Sequence, residues 1–169
     1  MPLPWKTATL CFLHREGKTL FLDYTHFSHP IHQGSYAPPG GKMEDEDEGD
    51  PKRTTIREIA QETGIIIHGL LYRGTLRFEN EKRTINAKPF KYNFTVPIYD
   101  CYNFDDTHIS ATEGKIAWID DDKILALPRH EGSREILKIL SRHREFEGIF
   151  IHEGEKLSSV TLSKTLPFS

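Results

Sequence analysis

The sequence predicts an α/β fold of the α+β kind, a mixed sheet sandwiched between helices. Runs that alternate apolar and polar residues recur from one end of the chain to the other, as half-buried strands require. Two well-separated segments carry helix start and stop signals. Strands and helices do not strictly alternate, which points to a mixed sheet. At 169 residues, 37% apolar and 11% aromatic, the chain suits one domain over residues 1–169 with a proper core.

Thr7 to Leu13 reads as a strand and Lys18 to Tyr24 as its hairpin partner, with Glu16-Gly17 as the turn. Thr25 to Tyr36 is polar and rich in histidine, hence a loop. The first helix starts at Asp50, a good N-cap, with Pro51 at the first helical position. It stops at Thr63, with Gly64 as the terminating glycine. Ile65 to Phe78 is a long strand interrupted by Gly69 and Gly74, and Asn80 to Lys88 a charged turn. Phe90 to Cys101 alternates, with Phe90, Tyr92, Phe94, Val96 and Ile98 on one face. Lys115 to Ile119 is a short strand. Ser133 caps a second helix to about Arg144, whose core stripe is Ile136, Leu137, Ile139 and Leu140. Gly148 to His152 and Lys156 to Leu162 form a last hairpin around Glu153-Gly154.

The totals restrict the function. A net charge of -3 leaves no general basic footprint for duplex nucleic acid, although one nucleotide site can still be locally basic. Cys11 and Cys101 sit in apolar strand-like runs and read as buried thiols, which suits a reducing cytoplasm. Met1 to Lys6 lacks an apolar signal core, and no apolar run approaches membrane-spanning length. No membrane partner is therefore expected; oligomeric state is left open.

The chemistry concentrates between Pro38 and Ile65. A glycine turn, Pro39-Gly40-Gly41-Lys42, leads through the acids Glu44 to Glu48 into the helix that carries Glu58 and Glu62. At 100° per residue Ile56, Ile59, Ala60 and Thr63 cluster on one side and Glu58, Gln61 and Glu62 on the other. Glu58 and Glu62 are one turn apart, so they repel unless a cation lies between them. Carboxylates converging beside exposed backbone are what a divalent metal needs to meet a polyphosphate.

Arg57-Glu58-Ile59-Ala60-Gln61-Glu62-Thr63-Gly64-Ile65, with Gly41 upstream, resembles the signature of the Nudix hydrolases (residues 41–65 here). The resemblance implies a Nudix-type α/β/α sandwich and a magnesium cofactor, with manganese as the alternative ion. It implies Gly41, Glu58, Glu62 and Glu113 as metal-holding residues. Glu58, Glu62, Glu113 and Arg57 would be the catalytic set, Arg57 pairing with an acid of the preceding loop. Glu113 enters through Thr112-Glu113-Gly114-Lys115-Ile116-Ala117-Trp118, which resembles the family's further ligand or base before an aromatic strand. There are two departures. Gln61 stands where the family has the first glutamate of a pair, and Gly41 to Glu58 is two residues longer than the pattern. Glu46, Asp47 and Glu48 are candidates for the displaced glutamate, and Glu44, nearest Gly41, for a site member.

Arg144 to Phe150 with Gly154-Glu155-Lys156-Leu157, and Leu127-Pro128 with Glu131-Gly132, resemble MutT-related purine triphosphatases that remove oxidised nucleotides. That branch implies an 8-oxo-dGTP diphosphatase releasing monophosphate and pyrophosphate. The base-reading positions match it less well: Ala37-Pro38-Pro39 precedes the glycines, and His130, Gly132 and Ser133 open the second helix. Gly40, Lys42, Tyr36, Phe78, Tyr92 and His130 are the candidate substrate contacts, the aromatics as stacking surfaces and Lys42 as a charge on the phosphates. His26, His29 and His32 suit a polar loop at the substrate mouth better than a zinc site, since no cysteine is near and Pro30 breaks the spacing. Alternatives are a dinucleoside polyphosphate or nucleotide sugar as substrate, or a non-catalytic nucleotide-binding regulator on the same fold.

Overall fold

The computed structural model describes residues 1–112 and 114–169. In chain order its strands are β1 (Trp5–Arg15), β2 (Lys18–Asp23), β3 (Tyr36–Ala37), β4 (Gly40–Lys42), β5 (Ile66–Ile85), β6 (Lys88–Pro89), β7 (Asn93–Asp105), β8 (Lys115–Asp120), β9 (Glu145–Gly154) and β10 (Lys156–Leu166). Helix α1 (Pro51–Thr63) lies between β4 and β5, and α2 (Glu131–Arg142) between β8 and β9. The sheet runs β10-β9-β5-β7-β1-β2-β3, with β4 on β1, β6 on β5 and β8 on β2. It is mixed: β1 runs parallel to β7 and β5 to β9, while the other pairs are antiparallel.

Strand alternation divides the core between the helices. Leu10 and Phe12 of β1 pack with Val96, Ile98, Phe146 and Phe150 against the α2 stripe Ile136, Leu137, Ile139 and Leu140. Cys11 and Leu13 pack with Leu20, Tyr99 and Cys101 against Ile59 of α1. Both cysteines are free and buried.

Three elements depart from the sequence reading. Strand β5 runs through the stretch expected as a charged turn, because Lys82 and Arg83 pair with Glu153 and Gly154 of β9. The turn is confined to Asn86 and Ala87, both with positive φ, the geometry of a tight hairpin. Helix α2 begins at Glu131 after an extended His130, so Ser133 lies inside its first turn instead of capping it. Helix α1 keeps its expected ends but is rotated about its axis. Ile56 is 41% exposed and Ala60 is exposed, whereas Thr54, Thr55, Ile59 and Thr63 are fully buried. The threonines tolerate burial because their hydroxyls are satisfied. Thr55 Oγ1 donates to Pro51 O at 2.8 Å and Thr63 Oγ1 to Ile59 O at 2.6 Å, and Thr54 Oγ1 to Asp47 Oδ2 at 2.9 Å. The rotation brings Glu58 and Glu62 partly under cover.

A buried polar network joins the sheet to the end of α2. Arg73 of β5 donates to Asp100 of β7, and to the carbonyls of Leu140 (2.9 Å), His143 (2.8 Å) and Arg144 (2.7 Å). The first two are carbonyls that the end of α2 leaves unpaired, and the third follows its cap. His14 closes the network on Asp100 Oδ1 at 2.6 Å. Asp100→Asn leaves Arg73 buried without its counter-charge. It is expected to destabilise the fold by about 3–5 kcal/mol, a melting-temperature loss of roughly 10 °C, read by denaturant and thermal unfolding.

Candidate active site

Helix α1 is held at both ends. Asp50 Oδ1 accepts from Lys52 N at 2.9 Å, and Gly64 closes the C-terminus at φ 73°. The last turn also exports its carbonyls: Glu62 O accepts from Thr112 N at 3.3 Å, Gln61 O from Thr112 Oγ1 at 3.2 Å and Thr63 O from Ser110 N at 2.8 Å.

Arg57 lies at the centre of the site. Its Nε and Nη2 donate to the two oxygens of Asp47 at 2.9 and 2.8 Å, a bidentate pair. Nη2 also reaches Lys42 O at 3.1 Å, and Nη1 donates to Glu58 Oε1 at 2.9 Å and Gln61 Oε1 at 3.2 Å. One guanidinium therefore ties the acidic loop, β4 and its own helix together. Asp47 is 2% exposed and also accepts from Glu44 N. The Arg57 bonds, with those from Glu44 and Thr54, hold its carboxyl well below the ordinary aspartate range, and Asp47 in turn raises the arginine. Glu44 and Glu48 take other positions: Glu44 opens the short turn Asp45–Asp47, and Glu48 pairs with Arg53 at 3.1 Å on the surface.

The two helix carboxylates lie against β4. Glu62 Oε1 accepts from Gly40 N at 3.0 Å. A Cβ on Gly41 would lie 2.3 Å from Glu58 Cδ, and one on Gly40 only 2.0 Å from Thr9 O. Only glycines allow the strand, the helix and β1 to approach this closely. This end opens into a cleft of about 550 Å³, lined here by Gly40, Gly41, Lys42, Glu58, Gln61, Glu62 and Thr112. Thr9 also lines it, and its Oγ1 is buried with no hydrogen-bond partner among the described residues.

Glu113 lies outside the described residues. Among the described residues no three His, Cys, Asp or Glu side chains gather as a metal cage. The donor set nonetheless fits a small hard cation. Two carboxylates and an amide oxygen face one cleft beside a bare glycine backbone, and magnesium typically uses one or two carboxylates with water and substrate phosphate.

Farther along, the cleft is walled by Phe78, Phe94, Val96 and Ile136, with Arg83, Phe90, His29, His32 and His130 beyond. Phe78 and His130 are thus in the cleft wall, whereas Tyr36 and Tyr92 are not. Tyr36 bonds Asp23 and packs on the core; the Tyr92 ring lies under Lys6 Nζ at 4.1 Å. Sequence reasoning missed Arg83, Phe90 and Phe94 as cleft residues. The available signal was the return of apolar Ile85 after the charged stretch, which marks a continuing strand.

His32, His130 and His152 are all shifted towards the neutral form. Burial first, then the nearby His29, His130 and Arg83, pushes His32 down to about 3. Burial and Arg83 push His152 down to about 4, and His130 is lowered mainly by burial. His32 Nδ1 and His152 Nδ1 are both buried without a partner among the described residues.

The NUDIX domain family model matches residues 4–140. The Nudix hydrolase YvcI of Bacillus subtilis is 29% identical over 137 residues, covering 80% of this chain and 78% of that protein. Among solved structures, the mutator MutT protein of Bacillus halodurans superposes with a TM-score of 0.75 at 23% identity, over 94% of this chain and 97% of that one. The MutT protein of Methanosarcina mazei gives 0.63 at 19% identity, over 83% and 96%. At these identities the structural likenesses establish the fold.

The depressed histidines set a pH dependence. The unfolded chain takes up their protons near pH 6.5 and the folded chain does not, so stability is full above that pH. It falls as pH drops through 6.5 towards 4, by up to about 1.4 kcal/mol per pH unit per histidine. His152→Gln is expected to flatten this slope by about one proton, read from urea unfolding at pH 7, 5.5 and 4.5.

Proposed function

The chain belongs to the NUDIX domain family, and on that premise we propose that it hydrolyses nucleoside triphosphates of the 8-oxo-dGTP or purine dNTP type to the monophosphate and pyrophosphate. Family membership gives it phosphoanhydride hydrolysis as its chemistry. The observation that carries the nucleotide reading is the cleft itself. One end holds Glu58 and Glu62 against the glycine strand, and the adjoining wall offers Phe78 and Phe94 for a base.

In this reading Glu58, Glu62, the Gly41 backbone and Glu113 hold magnesium or manganese. Once bound, the ion polarises the phosphoryl oxygens and neutralises the leaving pyrophosphate. Water attacks a phosphorus of the bridge, its oxygen forming the new P–O bond as the bridging P–O bond breaks, and a glutamate takes the water proton. Lys42 lines the same end and adds a positive charge to the phosphates. Arg57 orients Glu58 through its 2.9 Å bond and fixes the helix on Asp47. His130 and Phe78 contact the nucleoside. A second reading, a binding module without turnover, is favoured by Gln61: its amide oxygen is held by Arg57 and brings no charge to a cation.

The test is a panel of normal and oxidised nucleotides, dinucleoside polyphosphates and nucleotide sugars incubated with magnesium, the products resolved and Glu62→Gln run in parallel. The expected outcome is monophosphate and pyrophosphate from purine triphosphates, with turnover about 100-fold lower or more in the variant. If no substrate is turned over above the variant, the enzyme reading fails. Equal rates on dGTP and its oxidised form remove the sanitising assignment.

Gly41→Ala makes a second test. Its methyl displaces the Glu58 carboxylate, so turnover is expected to fall about 100-fold. The unfolding midpoint should move less than in Asp100→Asn, because the group displaced is a side-chain tip.

A further inference from the structure

Beside the cleft lies a second cavity of about 520 Å³, and Ile31, Arg83 and His130 line both. The second cavity is polar, with Gln33, Asn86, Glu131, His152 and Glu155 on its wall.

Arg83 stands between the two. Its Cζ lies 4.4 Å from the Phe90 ring centroid, which fixes the guanidinium plane. Among the described residues the one hydrogen bond of its guanidinium is a long 3.4 Å contact to Asn80 Oδ1, and it makes no ion pair with a carboxylate. Burial alone lowers it to about 10. A half-buried guanidinium with donors unspent keeps them available to a ligand that enters the cavity.

The surroundings favour the edge of a base over a phosphate. The imidazoles of His32 and His152 are neutral, so Arg83 has no second fixed cation beside it. Glu131 and Glu155 line the same cavity. Each has one oxygen bound by a backbone N–H, from Leu157 at 2.9 Å and from Asn86 at 2.8 Å. The other oxygen of each has no bond among the described residues. Among the described residues His152 Nδ1 has no partner although the side chain is 2% exposed, and the first turn of α2 has no side-chain cap. A phosphate would meet these carboxylates with repulsion. A purine bearing both a carbonyl and N–H groups on one edge would satisfy donors and acceptors together.

Resting on the nucleotide reading above, we infer that the wall between the two cavities selects a guanine-type base. Arg83 donates to its carbonyl edge, and Glu131 and Glu155 accept from its ring and exocyclic N–H groups.

The experiment measures binding of GMP, IMP and AMP by calorimetry, without turnover. The wild-type protein is compared with Arg83→Met and with the double variant Glu131→Gln/Glu155→Gln, after circular dichroism shows which are folded. GMP is expected to bind about 10-fold more tightly than AMP or better, with IMP between them. Arg83→Met should abolish the GMP-over-AMP ratio, and the double variant the GMP-over-IMP ratio. Equal wild-type binding of GMP and AMP, no binding of any of the three, or unchanged ratios in the variants overturns the inference. Should Arg83→Met fail to fold, the wild-type ratios and the double variant still decide. Loss of all hydrolysis with these ratios intact would remove the proposed activity and leave the base selection standing.

Discussion

Everything at the candidate active site depends on one ion pair, Arg57 with Asp47. Glu58 and Glu62 are like charges one turn apart on a helix turned partly into the protein, and Glu46, Asp47 and Glu48 crowd its N-terminal side. Without a positive centre this arrangement would push itself apart. Arg57 supplies that centre with a rigid fork: both oxygens of Asp47, the Lys42 carbonyl and Glu58 are met from one planar group at 2.8 to 3.1 Å. A lysine carries the charge but not the fork. The clamp also sets the roll of α1, and the roll decides whether the two carboxylates face the glycine strand or solvent.

That roll marks the boundary of what could be read from the sequence. The ends of α1 were legible because Asp50, Pro51 and Gly64 are local signals whose physics is complete within a few residues. Its buried face was not. Counting Ile56 and Ala60 as core and threonines as polar is sound in general, but here Thr55 and Thr63 return their hydroxyls to carbonyls one turn back and go inside. The lengthened loop hid its own solution in the same way. Asp47, not the nearer Glu44, meets Arg57, because the turn Asp45–Asp47 folds the run back on the helix.

The wall shared by the two cavities was least legible. Its residues come from the tip of β5, the loop before α2 and the turn between β9 and β10, and no local pattern links Arg83 to His130 or Glu155. Only the parallel pairing of β5 with β9, a long-range choice, brings them together. The charged stretch from Asn80 also reads as a turn because its polar residues outnumber its apolar ones. The mixed sheet itself was legible, since strands and helices do not strictly alternate along the chain.

The backbone bonds from the last turn of α1 to Ser110 and Thr112 have a consequence for how this chain can tolerate length change. Between Gly64 and Ser110 the chain makes its longest excursion, out along β5 and back along β7, and returns to the helix end it left. The two ends of that excursion are pinned to each other by Thr63 O and Glu62 O. Residues added or removed at the Asn86–Ala87 turn would therefore alter the reach of the hairpin without changing where residue 112 returns. Thr112, which lines the cleft beside Glu58 and Glu62, is insulated from insertions in the very segment that carries Arg83. The part of the cleft rim that carries Arg83 can then vary in length independently of the end that carries Glu58 and Glu62.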